Sequence, residues 1–237
     1  MIIIRVNWNL DYHWRLNSRR RESSQWQADR ERLFQCTALA SLQRQIHQQW
    51  RLWLRCDPAL HHLTDDMPMR CEDKRVSVTY DIDHTARQCA ERYGSDPEGV
   101  IFGRLDSDDM LHPGALARWN QETSPGLIQF GDGYALELPG GRLFEWNHPS
   151  SPFIAEIAAQ RSMRAGVPDL GGNHGQVHQL ARSISDRRWY IVTLHGGNVC
   201  NSADSRWCGP ELTGPARHQV LKEFQVGPIE VMEPVNA

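Results

Sequence analysis

The chain has 237 residues, of which 40% are hydrophobic and 23% are charged, and its formal net charge at pH 7 is −3. This length and composition are typical of a globular protein with room for one large core, and they exclude a disordered or fibrous chain. The small net charge gives no overall attraction to nucleic acid or to anionic membranes, and no apolar run approaches the roughly 18 residues of a membrane span.

The first ten residues, MIIIRVNWNL, predict a strand rather than a signal peptide, because the apolar run is short and no small-residue cleavage site follows it. We therefore expect a cytoplasmic protein. The six cysteines form no CxxC pair, which favours reduced, buried thiols over a zinc or redox site.

Strand and helix signals alternate through the first half of the chain, which predicts βαβ units and a mostly parallel sheet. Leu39, Leu42 and Ile46 share one face of a predicted helix over residues 28–49. The other predicted elements of this half are strands in IIIRV, WRLWLRC, RVSVTY and GVIFGRL, and a helix that Asp83 caps and that runs to Tyr93.

The second half predicts a short helix after HPG, a strand in GLIQF, a hairpin over YALELPGGRLFEW, a helix over residues 152–164 and a strand in WYIVTL. The hairpin makes the predicted sheet mixed. We expect an α/β fold with a mostly parallel central sheet flanked by helices. Residues 1–237 form one domain in this prediction, and residues 209–237 form a C-terminal extension that packs on it.

Three carboxylates, Asp106, Asp108 and Asp109, follow the apolar strand GVIFGRL within four positions. In an extended chain Asp106 and Asp108 project to the same side, and the carboxyl ends of strands are where open α/β sheets bind ligands. Carboxylate oxygens suit Mg²⁺ or Mn²⁺, with other positions left for water and phosphate. The pattern predicts a site for a divalent ion and a nucleoside diphosphate.

The acidic segment has two other interpretations. An EF-hand loop also begins D-x-D, but Leu111 stands where that loop needs glycine and Ala117 where it needs glutamate. The cluster could instead cap the helix that follows it, although one aspartate is enough for a cap.

The chain resembles the GT-A class of nucleotide-sugar glycosyltransferases, and within it a rhamnosyltransferase family. The segments that carry this resemblance appear in the family's order over residues 28–201: RERLFQCTALASLQRQIHQQWRLWLRCDP, IFGRLDSDDML, GDGYALELPGGRLFEW, SSPFIAEI and WYIVTLHGGNVCN. The resemblance implies that Asp106 and Asp108 hold the metal and the diphosphate. It implies that His195 completes the metal sphere and that Asp109 braces the loop or touches the ribose of the donor.

Five further residues are predicted to contact the donor. Asp57 ends the second strand, where this fold class commonly places a carboxylate against the nucleobase. Arg5 and Asn7 end the first strand, near the same expected pocket, and Arg87 and Arg104 could offset the charge of the diphosphate.

An inverting transferase needs a general base beside the acceptor hydroxyl, commonly an aspartate or glutamate. The candidates are Asp132, Glu156 and Asp169. We favour Asp169 because it borders a glycine-rich segment that could close on substrate.

The predicted function is metal-dependent transfer of a sugar from a nucleoside-diphosphate sugar to a hydroxyl acceptor, with Mn²⁺ or Mg²⁺ as cofactor. The acceptor could be a glycan or, alternatively, a modified base in DNA, which the arginines at 15, 19, 20 and 21 would favour. A non-catalytic module that binds sugar nucleotides is a third alternative.

Overall fold

The computed structural model of the protein describes residues 1–8, 23–80, 99–138, 140–149, 151–157, 179, 181–195 and 206–228. Within these residues the chain forms two β-sheets and short helices. The fold is mixed α/β with a mostly parallel central sheet flanked by helices, as the sequence predicts. No helix in the described part of the chain is long and apolar enough to cross a membrane.

The described strands, in chain order, are β1 Ile2–Asn7, β2 Trp50–Arg55, β3 Val76–Thr79, β4 Ile101–Leu105, β5 Met110–Leu111, β6 Gly126–Phe130, β7 Gly133–Glu137, β8 Leu143–Trp146, β9 Ile154–Ile157, β10 Arg182–Ile184, β11 Tyr190–Leu194 and β12 Cys208–Leu212. The predicted strands at β1, β2, β3, β4, β6 and β11 are confirmed. So is the hairpin, since β7 and β8 pair antiparallel.

Seven strands form the central sheet in the order β10-β6-β9-β4-β1-β2-β3. Strands β1, β2, β3 and β4 are parallel to one another, and β6 is parallel to β10. Strand β9 runs antiparallel between β4 and β6. The carboxyl ends of β1, β2, β3, β4 and β6 therefore lie at one edge of the sheet.

Five strands form the second sheet in the order β12-β8-β7-β11-β5. Strand β11 is parallel to β7 and antiparallel to β5, which directly follows the acidic segment. One face of this sheet shares the main core with the central sheet through residues such as Tyr190 and Val192. Its other face packs against Val220 and Phe224 near the carboxyl end of the chain.

The described helices are α1 Ser24–Phe34, a π-helical turn Gln35–Leu39, α2 Ala40–Gln43, a 3₁₀ helix Pro58–Leu63, α3 Met67–Arg70, α4 Ala115–Asn120 and α5 Gly214–Glu223. The helix predicted over residues 28–49 thus begins and ends earlier. It begins after Ser23, whose Oγ accepts a hydrogen bond from Trp26 N. It ends at Gln43, so Ile46, predicted on its apolar face, is 75% exposed.

The helix predicted over residues 152–164 is wrong at its start, because Ile154–Ile157 form strand β9. All four residues of β9 are buried between β4 and β6. A short apolar run does not distinguish a buried strand from a buried helix by its periodicity, and here the gap between two strands decides. Residues 158–164, like the helix predicted from Asp83 to Tyr93, lie outside the described residues.

The carboxyl-terminal segment contributes β12 to the second sheet and α5 to the face of that sheet. Residues 229–237 lie outside the described part, and the single-domain organisation stays a prediction. The cysteines at 36, 56, 71 and 208 are free thiols, as predicted for reduced cysteines.

Candidate functional site

The acidic segment lies where the strand order of the central sheet changes direction. The chain places β2 and β3 on one side of β1, and then β4 on the other side. In open α/β sheets, ligands bind outside the carboxyl ends of the strands at this switch point. Asp106, Asp108 and Asp109 directly follow β4, so the predicted edge and the observed switch point coincide.

Strand β4 is held in place by close packing of Gly103 against Trp119 of α4. A Cβ atom at Gly103 would lie 2.6 Å from Cζ3 of Trp119, so only glycine allows the indole to lie this near the strand. Trp119 is fully buried. The contact therefore holds β4, the strand that directly precedes the three aspartates, against α4.

The chain turns sharply after β4, and Asp109 N donates to the carbonyl oxygen of Asp106 at 3.4 Å. The segment is therefore not the extended chain from which convergence of Asp106 and Asp108 is predicted. The side chain of Asp106 is 33% exposed and accepts from Arg104 Nη2 at 3.3 Å. Asp108 and Asp109 are only 5% and 4% exposed.

Asp108 binds two side chains from distant parts of the chain. Its Oδ2 accepts from Arg30 Nη1 at 3.2 Å and lies 2.9 Å from Nε2 of His195, while its Oδ1 lies 3.4 Å from Arg30 Nη2. Helix α1 supplies Arg30, and His195 directly follows β11. The second sheet and the first long helix thus meet at the predicted aspartate.

Thr193 ties the loop to β11 from the other side. Its backbone N–H donates to Asp109 Oδ1 at 2.8 Å, and its hydroxyl donates to the carbonyl oxygen of Asp108 at 2.9 Å. Thr193 is completely buried. Asp108 and Asp109 are thus both hydrogen-bonded to Thr193, and the two roles predicted for Asp109 stay predictions.

The pKa values of Asp108 and Asp109 are shifted in opposite directions. Burial raises the pKa of Asp108, but the Arg30 charge and the His195 hydrogen bond outweigh it and lower the pKa to about 2. Burial, and then the charges of Asp108 and Asp106, raise the pKa of Asp109 well above its ordinary range.

The spacing of Asp108 and His195 suits a divalent ion. Ligands in adjacent positions of an octahedral ion with bonds of roughly 2.1 Å lie about 3 Å apart, close to the 2.9 Å between Asp108 Oδ2 and His195 Nε2. In the described part of the chain, no three Asp, Glu, His or Cys side chains form a metal-binding group. Two protein ligands suit Mg²⁺ or Mn²⁺ when water and phosphate supply the others.

The remaining predicted donor contacts occupy one edge and one face of the central sheet. Arg5 and Arg104 are direct partners in the β1–β4 register, both are buried, and the Arg5 guanidinium lies 5.7 Å from the ring centroid of Phe102. Asn7 is the last residue of β1. Asp57 follows β2 and caps the 3₁₀ helix, since its Oδ1 accepts from the residue 59 backbone N–H at 2.9 Å.

Three predicted features lie outside the described residues: Arg87, the favoured base Asp169, and the arginines at 15 to 21. The other two base candidates are described. Glu156 is buried on β9 in register with Phe102. Asp132 follows β6 at the carboxyl edge, and its charge and that of Asp109 both contribute to raising the pKa of Tyr190, after burial.

Sequence reasoning missed Arg30 and Thr193. Thr193 had a signal, because it is a polar residue within an apolar strand and stands two residues before His195, on the same side of the chain. Arg30 had none, since it is one of two arginines on a polar helix and is 78 positions from Asp108.

A cavity of about 700 Å³ lies elsewhere, lined by Arg118, Gln121, Asp186, Arg187 and Trp189. Trp189 precedes β11, whereas Thr193 and His195 lie at its carboxyl end. The cavity and the acidic cluster are therefore at opposite ends of this strand.

No protein-family model matches the sequence, and no curated protein matches it. Among solved structures, the chain is similar to S. aureus TarS 1–349 in complex with UDP-GlcNAc, with 12% identity, a TM-score of 0.46, and coverage of 84% of this chain and 59% of that one. The complex of the same TarS fragment with UDP gives 12% identity, a TM-score of 0.45 and coverage of 81% and 60%. Because these TM-scores are below 0.5, the fold class rests on the sheet order and register given above.

Proposed function

We propose that the chain is a metal-dependent glycosyltransferase of the cytoplasm, which moves a sugar from a nucleoside-diphosphate sugar to an acceptor hydroxyl. One observation carries the proposal: Oδ2 of Asp108, in the loop after β4, lies 2.9 Å from Nε2 of His195, which directly follows β11, at the switch point of the central sheet. The resemblance to GT-A transferases, and to a rhamnosyltransferase family within them, adds to it.

Asp108 and His195 would hold the divalent ion, and Asp106, the most exposed of the three aspartates, would face the donor. The bound ion would supply positive charge to the diphosphate as the sugar–phosphate bond breaks. Asp109 would brace the loop or touch the ribose of the donor, and its hydrogen bond with Thr193, which also binds the Asp108 carbonyl oxygen, supports the first of these roles.

The base and ribose of the donor would lie over the ends of β1 and β2. Asn7 and Asp57 are at those ends, and Arg5, two positions before Asn7, is the register neighbour of Arg104 on β4. Arg87 belongs to the same proposal from sequence alone. A carboxylate can accept hydrogen bonds from the ribose hydroxyls of a nucleotide. Guanidinium groups can donate to its diphosphate.

For an inverting reaction the base that accepts the acceptor's proton would be Asp169, with Asp132 as the alternative. Asp132 lies at the same sheet edge as the cluster, because β6 and β4 both run antiparallel to β9. Replacing the true base by asparagine would abolish transfer and leave donor binding unchanged.

Incubation of the protein with Mn²⁺ and a panel of UDP-, GDP- and dTDP-sugars tests the proposal, with release of nucleoside diphosphate as the readout. We expect release from one donor with the wild type and at least a hundredfold less with Asp108→Asn. Equal release with both proteins, or release that EDTA does not affect, would contradict the proposed site.

The same panel separates the alternatives. Donor binding with neither hydrolysis nor transfer to any of the acceptors tested would support a non-catalytic module. Binding to DNA that weakens steeply with salt, and transfer to a modified base, would support a DNA acceptor.

A further inference from the structure

Arg30 forms an ion pair with Asp108, the carboxylate proposed to bind the divalent ion. The guanidinium spans both oxygens of Asp108 at 3.2 and 3.4 Å. The side chains of Arg30, Asp108 and His195 are 19%, 7% and 8% exposed, so little water screens the three groups. Arg30 thus already supplies the positive charge that the sequence predicts a metal to supply.

We propose that Arg30 is a gate on the cation site, and that it makes binding of the divalent ion depend on the presence of a diphosphate. This inference rests on the proposed function. The Asp108 Oδ2 that pairs with Arg30 is the atom that also faces His195, so an ion bound between Asp108 and His195 displaces the guanidinium from that oxygen.

Displacement by the ion alone is costly. It leaves the arginine without its carboxylate partner beside a new double positive charge, in a site from which water is largely excluded. The ion therefore binds weakly when it is the only ligand.

A diphosphate removes that cost, because its oxygens are a bidentate partner for the released guanidinium. The Nε atom of Arg30 supports this exchange. It is buried and has no hydrogen-bond partner among the described residues, so the pairing with Asp108 does not use all the donors of the group. Ion and diphosphate consequently bind with positive coupling, and release of Arg30 adds to the coupling that direct coordination of the ion by phosphate oxygens gives.

The alternative is a fixed structural ion pair. In that case, loss of Arg30 would lower the stability of the protein and leave the coupling between the two ligands as it is in the wild type. The coupling between Mn²⁺ binding and diphosphate binding therefore distinguishes the two hypotheses, because a purely structural role would leave it unchanged.

The experiment measures the dissociation constant of Mn²⁺ from the full chain by electron paramagnetic resonance of the free ion. It is done without nucleotide and with UDP, GDP or dTDP, and each nucleotide is also titrated without protein. The variants are Arg30→Gln, Arg30→Lys and Arg32→Gln. Arg32 is the control, since two residues along a helix place it about 200° away from Arg30.

For the wild type we expect the diphosphate to tighten Mn²⁺ binding by about tenfold or more, a usual size for coupling between sites. Arg30→Gln should bind Mn²⁺ alone about tenfold more tightly, and its coupling should be smaller than that of the wild type by a similar factor, because direct coordination of the ion by phosphate remains. Arg30→Lys, which cannot span both oxygens, should shift both quantities in the same direction by at least about threefold. Arg32→Gln should match the wild type.

Unchanged Mn²⁺ affinity and unchanged coupling in Arg30→Gln would overturn the gate. If that variant does not fold, as circular dichroism would reveal, Arg30→Lys decides in the same way. Failure of the proposed function looks different: the wild type would not bind Mn²⁺ with or without nucleotide, or Asp108→Asn would bind it as the wild type does.

Discussion

Thr193 gives the sharpest test of how the acidic loop is held. Its hydroxyl donates to the carbonyl oxygen of Asp108 at 2.9 Å, and its side chain is completely buried. Thr193→Val keeps the shape, the β-branch and the backbone N–H that binds Asp109, and removes only this hydrogen bond. Loss of a donor from a buried carbonyl costs about 1–3 kcal/mol, and the added methyl group offsets part of it, so we expect a net loss of about 1–2 kcal/mol.

Urea unfolding followed by tryptophan fluorescence measures this loss as a lower midpoint at an unchanged slope. Binding of Mn²⁺ with nucleoside diphosphate should weaken about fivefold or more, because the loop that aims Asp108 loosens. Thr193→Ser is the matched variant: it loses a methyl group and keeps the hydroxyl, so its stability falls by about 1 kcal/mol while its ligand affinity stays at the wild-type value. Equal ligand affinity in the valine and serine variants would refute the reasoning.

Two further predictions concern packing and pH. Gly103→Ala should lose about 1–3 kcal/mol, because its Cβ would meet Trp119 at 2.6 Å, whereas Gly99→Ala, with nothing within 4 Å, should lose little; equal urea midpoints would contradict the packing argument. The hydrogen bonds from Arg75 lower the pKa of Asp73 from 3.8 to about 2, so this stabilisation is complete above about pH 4 and is lost as the pH falls toward 2. Over that interval the wild type should lose up to about 2 kcal/mol more than Asp73→Asn, and parallel stability curves would show that the pair contributes nothing.

The central sheet was predictable because its strands are apolar runs ended by turn residues. Strand β1 shows the limit of that pattern. It is buried on both faces, with Ile2 and Ile4 in the main core and Ile3 in a second cluster with Trp53, so it reads as a continuous run rather than an alternation. Such runs do not predict the order of the strands in the sheet, because the order depends on which strands pair with each other.

The predictions for strand β9 and for the carboxyl end of the helix over residues 28–49 were wrong for related reasons. Ile154–Ile157 is too short for its apolar residues to favour a strand or a helix, and its position between two parallel strands decides the matter. Ile46 continues the spacing of Leu39 and Leu42 but lies after the helix has ended, where its backbone N–H donates to the residue 113 carbonyl instead.

The location of the candidate site could be predicted, and its internal contacts could not. A strand followed by three aspartates predicts a ligand-binding edge whatever the loop conformation. Which aspartate meets which partner depends on the turn after Leu105 and on contacts with α1 and β11, 78 and 87 positions away from Asp108. Such contacts leave no periodic trace in one sequence, and so Arg30 emerged only from the structure.

Isothermal titration calorimetry of UDP, GDP and dTDP in the presence of Mn²⁺ tests the central claim most directly. The wild type should bind at least one of them, and Asp108→Asn should weaken that binding about tenfold or more, since it removes a charged ligand from the ion. Glu211→Gln, an exposed change on β12, should leave the affinity unchanged. Absence of binding in the wild type, or equal binding in wild type and Asp108→Asn, would contradict a nucleotide site at the end of β4.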